Sequence, residues 1–185
     1  PNIEKLVILC SKADLPSTKF SEVISYEELL SMGSENFEWI KGEETDACGI
    51  CYTSGTTGNP KGVVYTHRSN TLHALTQAAP DMLNLSSTDT IMPVVPLFHA
   101  NGWSIAYTAP LVGSSIVFPG GDLSPSSLYD MLERGVTITA AVPTVWLLLL
   151  NFLESEKKEL SSLKRVVIGG SSCPRSVIED FQNKY

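Results

Sequence analysis

The feature that most constrains the fold of this chain is a polar loop, Tyr52 to Gly62, that joins two apolar runs. The apolar runs predict two strands, over 50–54 and 63–66, connected directly by the loop. Its glycines permit backbone turns that let N–H groups approach an oxyanion, while its hydroxyls and its lysine add donors and positive charge. The loop is therefore predicted to bind phosphate. The candidate phosphate-binding residues are Thr53, Ser54, Gly55, Thr56, Thr57, Gly58 and Lys61.

The loop does not match the phosphate loop of P-loop NTPases. In that pattern the lysine follows a glycine, precedes a serine or threonine, and leads into a helix. Here Pro60 precedes Lys61, Gly62 follows it, and a strand is predicted next. An ordinary Ser/Thr/Gly hairpin loop is the alternative explanation, although the density of donors around one lysine favours phosphate binding.

Composition and charge narrow the possible functions. Hydrophobic residues make up 43% of the chain and charged residues 18%, which is typical of a globular protein with a sizeable core. The net charge of −7 argues against nucleic acid as a partner, because binding to a phosphate backbone needs a basic face. A small phosphate-bearing ligand remains compatible with an acidic chain, since its binding depends on local donors.

The cysteines and the apolar runs bear on location. The four cysteines form no pair of Cys-x-x-Cys motifs, so a zinc or redox site at Cys48 and Cys51 is the minor alternative to reduced, packed thiols. Reduced thiols indicate an intracellular protein, and we expect a cytoplasmic location. The longest apolar run, residues 145–150, is too short to cross a bilayer. No transmembrane segment is predicted.

Strands and helices alternate along the chain, which predicts an α/β fold with layered, mostly parallel sheets flanked by helices. Ser25 with Glu28, and Ser124 with Pro125, are typical helix starts. The predicted strands cover 6–10, 50–54, 63–66, 89–95, 115–118, 136–141 and 165–168. The main predicted helices start near Ser25 and Ser124 or cover 66–77, 101–111, 144–153 and 174–183.

His99 is the most informative of the three histidines. It lies between a predicted strand end and a predicted helix start, at the edge where open α/β sheets bind ligands. A packing role at the helix start is the alternative. Trp103 lies four residues on, which predicts the same helix face. His67 and His73 are six residues apart and are not expected to form a metal pair.

Three distinctive motifs follow one another along the chain. The first is Tyr-Thr-Ser-Gly-Thr-Thr-Gly-Asn-Pro-Lys-Gly over 52–62. The second is Pro-Leu-Phe-His-Ala-Asn-Gly-Trp over 96–103, and the third is Val-Val-Ile-Gly-Gly-Ser-Ser-Cys-Pro over 166–174. In sequence and in order these motifs resemble those of the AMP-forming, adenylate-forming enzymes, which include acyl-CoA synthetases, firefly luciferase and the adenylation domains of peptide synthetases. The second motif is similar to the form seen in long-chain fatty acyl-CoA synthetases.

The resemblance implies roles for individual residues. Lys61 and His99 would be catalytic, and the loop residues would hold the phosphates of ATP, with Thr53 also at Mg²⁺. Further nucleotide contacts are implied for Ala100, Gly170 and Ser171. Contacts to a fatty acid or another hydrophobic carboxylate are implied for His99, Trp103, Val142 and Thr144, with Trp103 gating the acyl tunnel. The apolar helix over 144–153 offers no polar face and is therefore expected to be buried on all sides, with core packing as the default explanation and a tunnel wall needing the same composition.

The implied activity is that of an ATP-dependent fatty acid–CoA ligase with coenzyme A as co-substrate. We expect residues 1–185 to be an internal, incomplete part of the large N-terminal AMP-binding domain, inactive alone because the small C-terminal domain is absent. A luciferase-like or peptide-synthetase reaction and a non-catalytic nucleotide- or acyl-binding remnant are the alternatives. A homodimeric parent protein is left open.

Overall fold

The computed structural model describes residues 4–54 and 58–185. The chain divides into two compact units, Pro1–Gly42 and Glu43–Tyr185. The second unit contains the three motifs. Within the first motif, Gly55, Thr56 and Thr57 lie outside the described residues.

The first unit pairs two short strands in parallel, β1 (Leu6–Ile8) and β2 (Val23–Ser25). Helix α1 (Tyr26–Ser31) begins immediately after β2. The predicted capping box is present, because the Ser25 hydroxyl accepts the Glu28 N–H at 3.2 Å and Glu28 accepts the Ser25 N–H at 3.1 Å. Lys12 forms a salt bridge with the other carboxylate oxygen of Glu28, with 2.8 Å between Lys12 Nζ and Glu28 Oε1. The observed strand β1 is two residues shorter than the strand predicted over 6–10.

The second unit opens with the predicted hairpin. Strands β3 (Ala47–Thr53) and β4 (Lys61–Thr66) pair antiparallel, and β4 leads into helix α2 (His67–Ala78). Thr66 caps α2, since its hydroxyl accepts the Ser69 N–H at 3.1 Å. The prediction of two strands joined by the polar loop is confirmed.

The rest of the second unit is a four-stranded sheet with all strands parallel, in the order β6, β5, β7, β8. Its strands are β5 (Thr90–Pro93), β6 (Ser115–Ile116), β7 (Ile138–Ala141) and β8 (Arg165–Ile168). The helices between and after them are α3 (Ile105–Val112), α4 (Pro125–Leu132), α5 (Pro143–Glu156) and α6 (Arg175–Asn183). The predicted α/β class is confirmed, and the bounds of β8 match the prediction.

Two apolar cores lie on opposite faces of this sheet because successive side chains of a strand point to opposite sides. Met92 of β5 joins Leu128 of α4 and Trp146 of α5 in one core, which also includes Val177 of α6. Ile91 of β5 joins the other core. That core consists of Leu83, Leu85, Ile91, Ile105, Ala109, Ile138 and Ala140. Helices therefore cover both faces, as in a layered α/β fold.

Asp89 ties together the amino ends of three strands. It is 7% exposed and accepts hydrogen bonds from the Thr137 hydroxyl at 2.8 Å and from Ser86, and its Oδ2 lies 2.7 Å from Arg165 Nη2. Burial by itself raises the pKa of Asp89. The hydrogen bonds from Thr137, Ser86 and Arg165 outweigh it, so the pKa lies below its ordinary value.

The prediction of a helix over 101–111 is wrong for the first turn of that helix. Residues 100–104, here called the left-handed turn, have φ angles between 42° and 61°, and the right-handed helix α3 begins only at Ile105. The predicted common helix face of His99 and Trp103 is therefore also wrong. The reason is tertiary packing around Gly102, where a Cβ atom would lie 2.7 Å from Leu97 Cδ2, so the turn packs tightly on Leu97.

The apolar helix α5 is buried on one side only. Trp146, Leu149, Leu150 and Leu153 face the core, but Leu147 and Leu148 are 39% and 59% exposed. The expectation of a helix buried all round is therefore not met in this chain. No helix in the described part of the chain is both long and apolar enough to span a membrane.

We predict that Asp89→Asn lowers the free energy of unfolding by about 2–3 kcal/mol at pH 7, because Arg165 then lacks its buried counter-charge. Since folding lowers the pKa of Asp89, its contribution is complete above about pH 4 and fades as the pH falls through the folded-state pKa. Urea unfolding of both proteins from pH 7 downwards measures this. Asp180→Asn, which breaks an exposed pair with Lys184, is the control and should leave the free energy of unfolding nearly unchanged. If Asp89→Asn lowers the free energy of unfolding by the same amount at every pH, the charge of Asp89 is not the source of its stabilising effect.

Candidate active site

The hairpin brings Thr53 and Lys61 into direct opposition. They are cross-strand partners at the end of the β3–β4 ladder, and both are exposed. Residues directly opposite one another in an antiparallel pair carry their side chains on the same face. A hydroxyl and an ammonium group therefore share one face at the base of the polar loop. Ser54 and Gly58 continue from this pair, and Gly58 has φ of 124°, a region open to glycine.

The same face of the hairpin is directed toward the second motif. Cys51 shares this face with Thr53 because side chains alternate along a strand. Cys51 is buried, and its thiol Sγ lies 3.8 Å from the carbonyl oxygen of Phe98, the residue before His99. The structure therefore brings the first motif against the second, and Cys51 is a link that the sequence analysis missed.

The second and third motifs meet at one edge of the parallel sheet. The chain leaves β5 toward 94–99, leaves β7 at Val142, and leaves β8 at Gly169. In parallel strands these carboxyl ends lie along the same edge. The connection from β5 runs to β6 on one side, whereas that from β7 runs to β8 on the other side. Such a change of direction opens a crevice between β5 and β7, which is where open α/β sheets bind ligands.

Contacts around Gly169 and Gly170 draw three predicted site residues together. A Cβ atom at Gly169 would lie 3.0 Å from the Trp103 ring, so the indole packs directly on this glycine. A Cβ atom at Gly170 would lie 3.0 Å from Cγ1 of Val142, and Gly170 has φ of 87°. Both glycines are needed for close approach, and Gly170 also for its backbone conformation.

Trp103 also forms a wall of an open depression of about 400 Å³. The end of α2 and the residues after it also line this depression. The lining residues are Gln77, Asp81, Met82, Leu83, Trp103, Val167, Ile168, Gly169 and Gly170. The sequence analysis named Trp103 and Gly170 as site residues and quoted Gly169 within the third motif, but it missed the residues over 77–83, which carry no motif and reach the depression only through the fold.

The remaining predicted residues lie around this centre and are accessible. His99, Ala100, Thr144 and Ser171 are all exposed. Ala100 lines a second, smaller cavity of about 140 Å³ beneath the left-handed turn. The other residues of that cavity are Tyr65, Asn70, His73, Asn101, Ser104 and Tyr107. The chain thus brings His99, Trp103, Val142 and Gly170 to one edge of the sheet.

Over residues 4–54 and 58–185 there is no cluster of three or more histidine, cysteine or carboxylate side chains that could hold a metal ion. His73 instead makes a side-chain hydrogen bond with Gln77 at 3.1 Å. Apart from Asp81, a carboxylate in the lining of the depression, the polar groups named around the candidate site are hydroxyls, amides, imidazoles and the Lys61 ammonium. Such a set suits an anionic ligand better than a bare cation.

The family model described as "AMP-binding enzyme" matches residues 4–185. The chain therefore belongs to the AMP-binding enzyme family, as its three motifs predict. The match spans both units, and it includes the loop, the His99 segment and the Gly-Gly turn.

Relatives and solved structures agree with this assignment. The medium-chain-fatty-acid–CoA ligase of Ectopseudomonas oleovorans is 45% identical over 186 residues, which is 100% of this chain and 34% of that protein. A crystal structure of a long-chain-fatty-acid–CoA ligase from Archaeoglobus fulgidus is 31% identical with a TM-score of 0.75, covering 86% of this chain and 34% of that one. The structure of O-succinylbenzoate–CoA synthetase of Bacillus subtilis, solved with ATP and a magnesium ion, is 28% identical with a TM-score of 0.71. That match covers 88% of this chain and 34% of the synthetase. The chain thus spans about a third of the length of these proteins.

We predict that Gly170→Ala destabilises the chain by about 1–2 kcal/mol, because alanine resists a positive φ and its Cβ would press on Val142. Gly120→Ala isolates the backbone effect, since Gly120 has φ of 72° and open space around its Cα. In a Val142→Ala background the Gly170→Ala effect should fall to that of Gly120→Ala. Urea midpoints of the four variants measure this, and an equal Gly170→Ala effect in both backgrounds would exclude the Val142 contact.

Proposed function

We propose that this chain supplies the phosphate- and acyl-binding part of an ATP-dependent fatty acid–CoA ligase, as part of its N-terminal AMP-binding domain. The observation that carries the proposal is the convergence of three features. These are a hairpin face bearing Thr53 and Lys61, a strand end bearing His99, and an apolar depression walled by Trp103. Each feature meets one requirement of joining a carboxylate to a nucleotide.

The first requirement is to neutralise phosphate. A fatty acid carboxylate and the α-phosphate of ATP are both anionic, so their encounter needs positive charge and hydrogen-bond donors. Lys61 and Thr53, on one face of the hairpin, together with Ser54, Gly55, Thr56, Thr57 and Gly58, are assigned to the β- and γ-phosphates. Lys61 is exposed, and the flexible stem of a lysine side chain suits an ammonium group that must reach phosphate oxygens.

The second requirement is to orient the reacting groups. His99 is assigned to the junction of the carboxylate and the α-phosphate, where an imidazole N–H donates to an anionic oxygen. The backbone at Ala100, Gly170 and Ser171 is assigned to the nucleotide. The crevice between β5 and β7 supports this assignment, because the segments that carry these residues follow strands at the same edge of the sheet.

The third requirement is an apolar site for the acyl chain. The apolar side chains that line the depression include Trp103, Met82, Leu83 and Val167. Val142, which packs against Gly170, and Thr144 are assigned to the carboxylate end of the acyl group. Burial of each methylene contributes about 0.8 kcal/mol, so the depth of this site sets the preference for chain length.

Magnesium fits the site only together with the nucleotide. The described residues offer no cluster of ligands, but Mg²⁺ is commonly held by phosphate oxygens and water with one or two protein groups. The Thr53 hydroxyl is the assigned protein contact. When bound, the ion would neutralise phosphate charge.

In the proposed reaction a carboxylate oxygen attacks the α-phosphorus and pyrophosphate leaves, which forms an acyl-adenylate. The thiolate of coenzyme A then attacks the acyl carbonyl and AMP leaves, which forms the thioester. This chain is assigned the positioning of ATP and the fatty acid.

The test uses a chimeric ligase in which this chain replaces the matching third of the Ectopseudomonas oleovorans relative. We predict that Lys61→Ala in this chimera slows pyrophosphate release with decanoate by about 10²–10³-fold, the usual loss when one charge-stabilising donor is removed. The thermal midpoint should stay unchanged, because Lys61 is exposed. Lys41→Ala, at another exposed lysine, is the matched control and should leave the rate unchanged.

Product analysis of the same chimera separates the possible reactions. Decanoyl-CoA formed only with ATP and coenzyme A supports the proposal. Release of pyrophosphate without thioester would contradict the CoA ligase assignment, and a Lys61→Ala rate equal to wild type would remove Lys61 from the phosphate site.

For the acyl site, we predict that Trp103→Ala in the chimera broadens the preference for chain length, because loss of the indole enlarges the depression. The measurement is kcat/KM for saturated acids of six to sixteen carbons. Trp39→Ala is the control, since Trp39 is 86% exposed and lies in the first unit. An unchanged profile for Trp103→Ala would make Trp103 a packing residue only.

A further inference from the structure

Helix α2 turns polar residues inward and leaves apolar residues outside. Asn70, Ala74 and Gln77 are partly or fully buried, and their spacing places them on one face of the helix. Leu72 and Leu75 are instead 56% and 53% exposed. A surface helix normally buries its apolar stripe. The inward face of α2 therefore carries two amides at positions where apolar side chains are the usual choice.

The two amides of α2 border the candidate site. Gln77 lines the depression beside Trp103, and Asn70 lines the smaller cavity beneath the left-handed turn. Helices α4 and α6 follow the usual rule, since α4 buries Leu128 and α6 buries Val177. The polar inward face is thus a property of α2 and coincides with the place where this helix meets the site. Polar groups turned inward are the informative exception to normal burial.

The Gln77 amide has one of its two ends occupied. Its Nε2 lies 3.1 Å from Nε2 of His73, which is one turn earlier on α2. An amide group has a donor end and an acceptor end, so one partner leaves the other end unused. Among the residues that the structure describes, His73 is the only side chain that bonds this amide. Because Gln77 lines the depression, its unused end is available to a ligand there.

A carboxylate lies close by in the same lining. Asp81 follows Gln77 by four residues and is the only charged residue among the described residues that line the depression. Its oxygens accept hydrogen bonds, and its charge repels a second anion. The residues from the end of β8, Val167 and Ile168, are apolar. The depression therefore combines apolar surface with one amide and one carboxylate.

The carboxylate end of a bound acid is assigned to a different part of the site. His99 and Val142 are not among the described residues that line the depression, and Gly170 joins the two regions through its contact with Val142. Gln77 and Asp81 come from α2 and the segment after it. An acid whose carboxylate lies at His99 therefore meets them with a later part of its chain.

We propose that Gln77 and Asp81 select a fatty acid that bears a hydroxyl group away from its carboxylate. This selection rests on the proposed function, in which the depression holds the acyl chain. A hydroxyl both donates and accepts, so it pairs with whichever end of the Gln77 amide His73 leaves free, and it donates to Asp81. A methylene group leaves both residues without a partner, and a second carboxylate is repelled by Asp81.

The test measures the binding of four acids to the chimeric ligase by isothermal titration calorimetry. The acids are decanoate and its 2-, 5- and 10-hydroxy derivatives, and α,β-methylene-ATP is present so that no pyrophosphate is released. At least one of 5- and 10-hydroxydecanoate should bind about fivefold more tightly than decanoate, the effect of one net hydrogen bond. The 2-hydroxy acid should show no gain, because its hydroxyl lies beside the carboxylate.

Gln77→Met, which keeps the length of the side chain but not its polar end, should remove the gain. Gln182→Met, at an exposed glutamine of α6, is the matched control and should retain it. Thermal midpoints of both variants verify that they are folded. Equal binding of all four acids, a gain for the 2-hydroxy acid alone, or a gain that Gln77→Met retains would overturn the proposal.

The charge of Asp81 is tested with decanedioate. Asp81→Asn keeps a hydrogen-bonding group but removes the charge, so binding of decanedioate relative to decanoate should improve about fivefold, the effect of two unit charges about 4 Å apart in water. Asp130→Asn, at an exposed aspartate of α4, should leave this ratio unchanged. Because Asp81 is exposed, this variant tests the selection even where Gln77→Met lowers the thermal midpoint. An unchanged ratio in Asp81→Asn would contradict the proposal.

Thioester formation by the same chimera separates this selection from the proposed function. If decanoyl-CoA forms but no hydroxy acid binds more tightly than decanoate, the ligase assignment stands and the selection fails. If a hydroxy acid shows a gain that depends on Gln77 but no thioester forms from any of the acids, the selection stands and the ligase assignment fails.

Discussion

The packing of β7 between β5 and β8 is the constraint on which the larger unit depends. All four of its residues, Ile138–Ala141, are buried, and the Thr139 hydroxyl donates to the carbonyl of Met92 at 2.8 Å. Because alternate side chains enter opposite faces, β7 contributes Ile138 and Ala140 to one core and Ala141 to the other. A shift of register by one residue would exchange these faces, so the sheet has one stable alignment.

The two edges of the sheet differ in chemistry as a consequence. At the amino edge, Asp89 binds Thr137 and Arg165 in a largely buried network that joins three strands. At the carboxyl edge the chain has exposed polar residues, the Gly169–Gly170 turn and the left-handed turn. The rigid edge holds the strands while the other edge holds strained and accessible groups, which is the usual arrangement of a binding site on a stable sheet.

Much of the fold was predictable from local patterns. The polar loop between two apolar runs predicted the hairpin, and the caps at Ser25 and Ser124 predicted helix starts that the structure confirms. The handedness of residues 100–104 was not predictable, because the local sequence suits a right-handed helix and the contact with Leu97 overrides it. The partial exposure of α5 was missed because an apolar composition does not reveal how much of a helix this chain covers.

Local sequence specifies the helices and strands, the chemistry of the polar loop and the family, since these depend on residues that are close together in the chain. The order of the strands, and with it the crevice between β5 and β7, follows from long-range packing. Long-range packing also decides that Trp103 lies on Gly169 and that the residues over 77–83 line the same depression. These features depend on contacts between residues far apart in sequence, which packing of the two cores selects and no local pattern specifies.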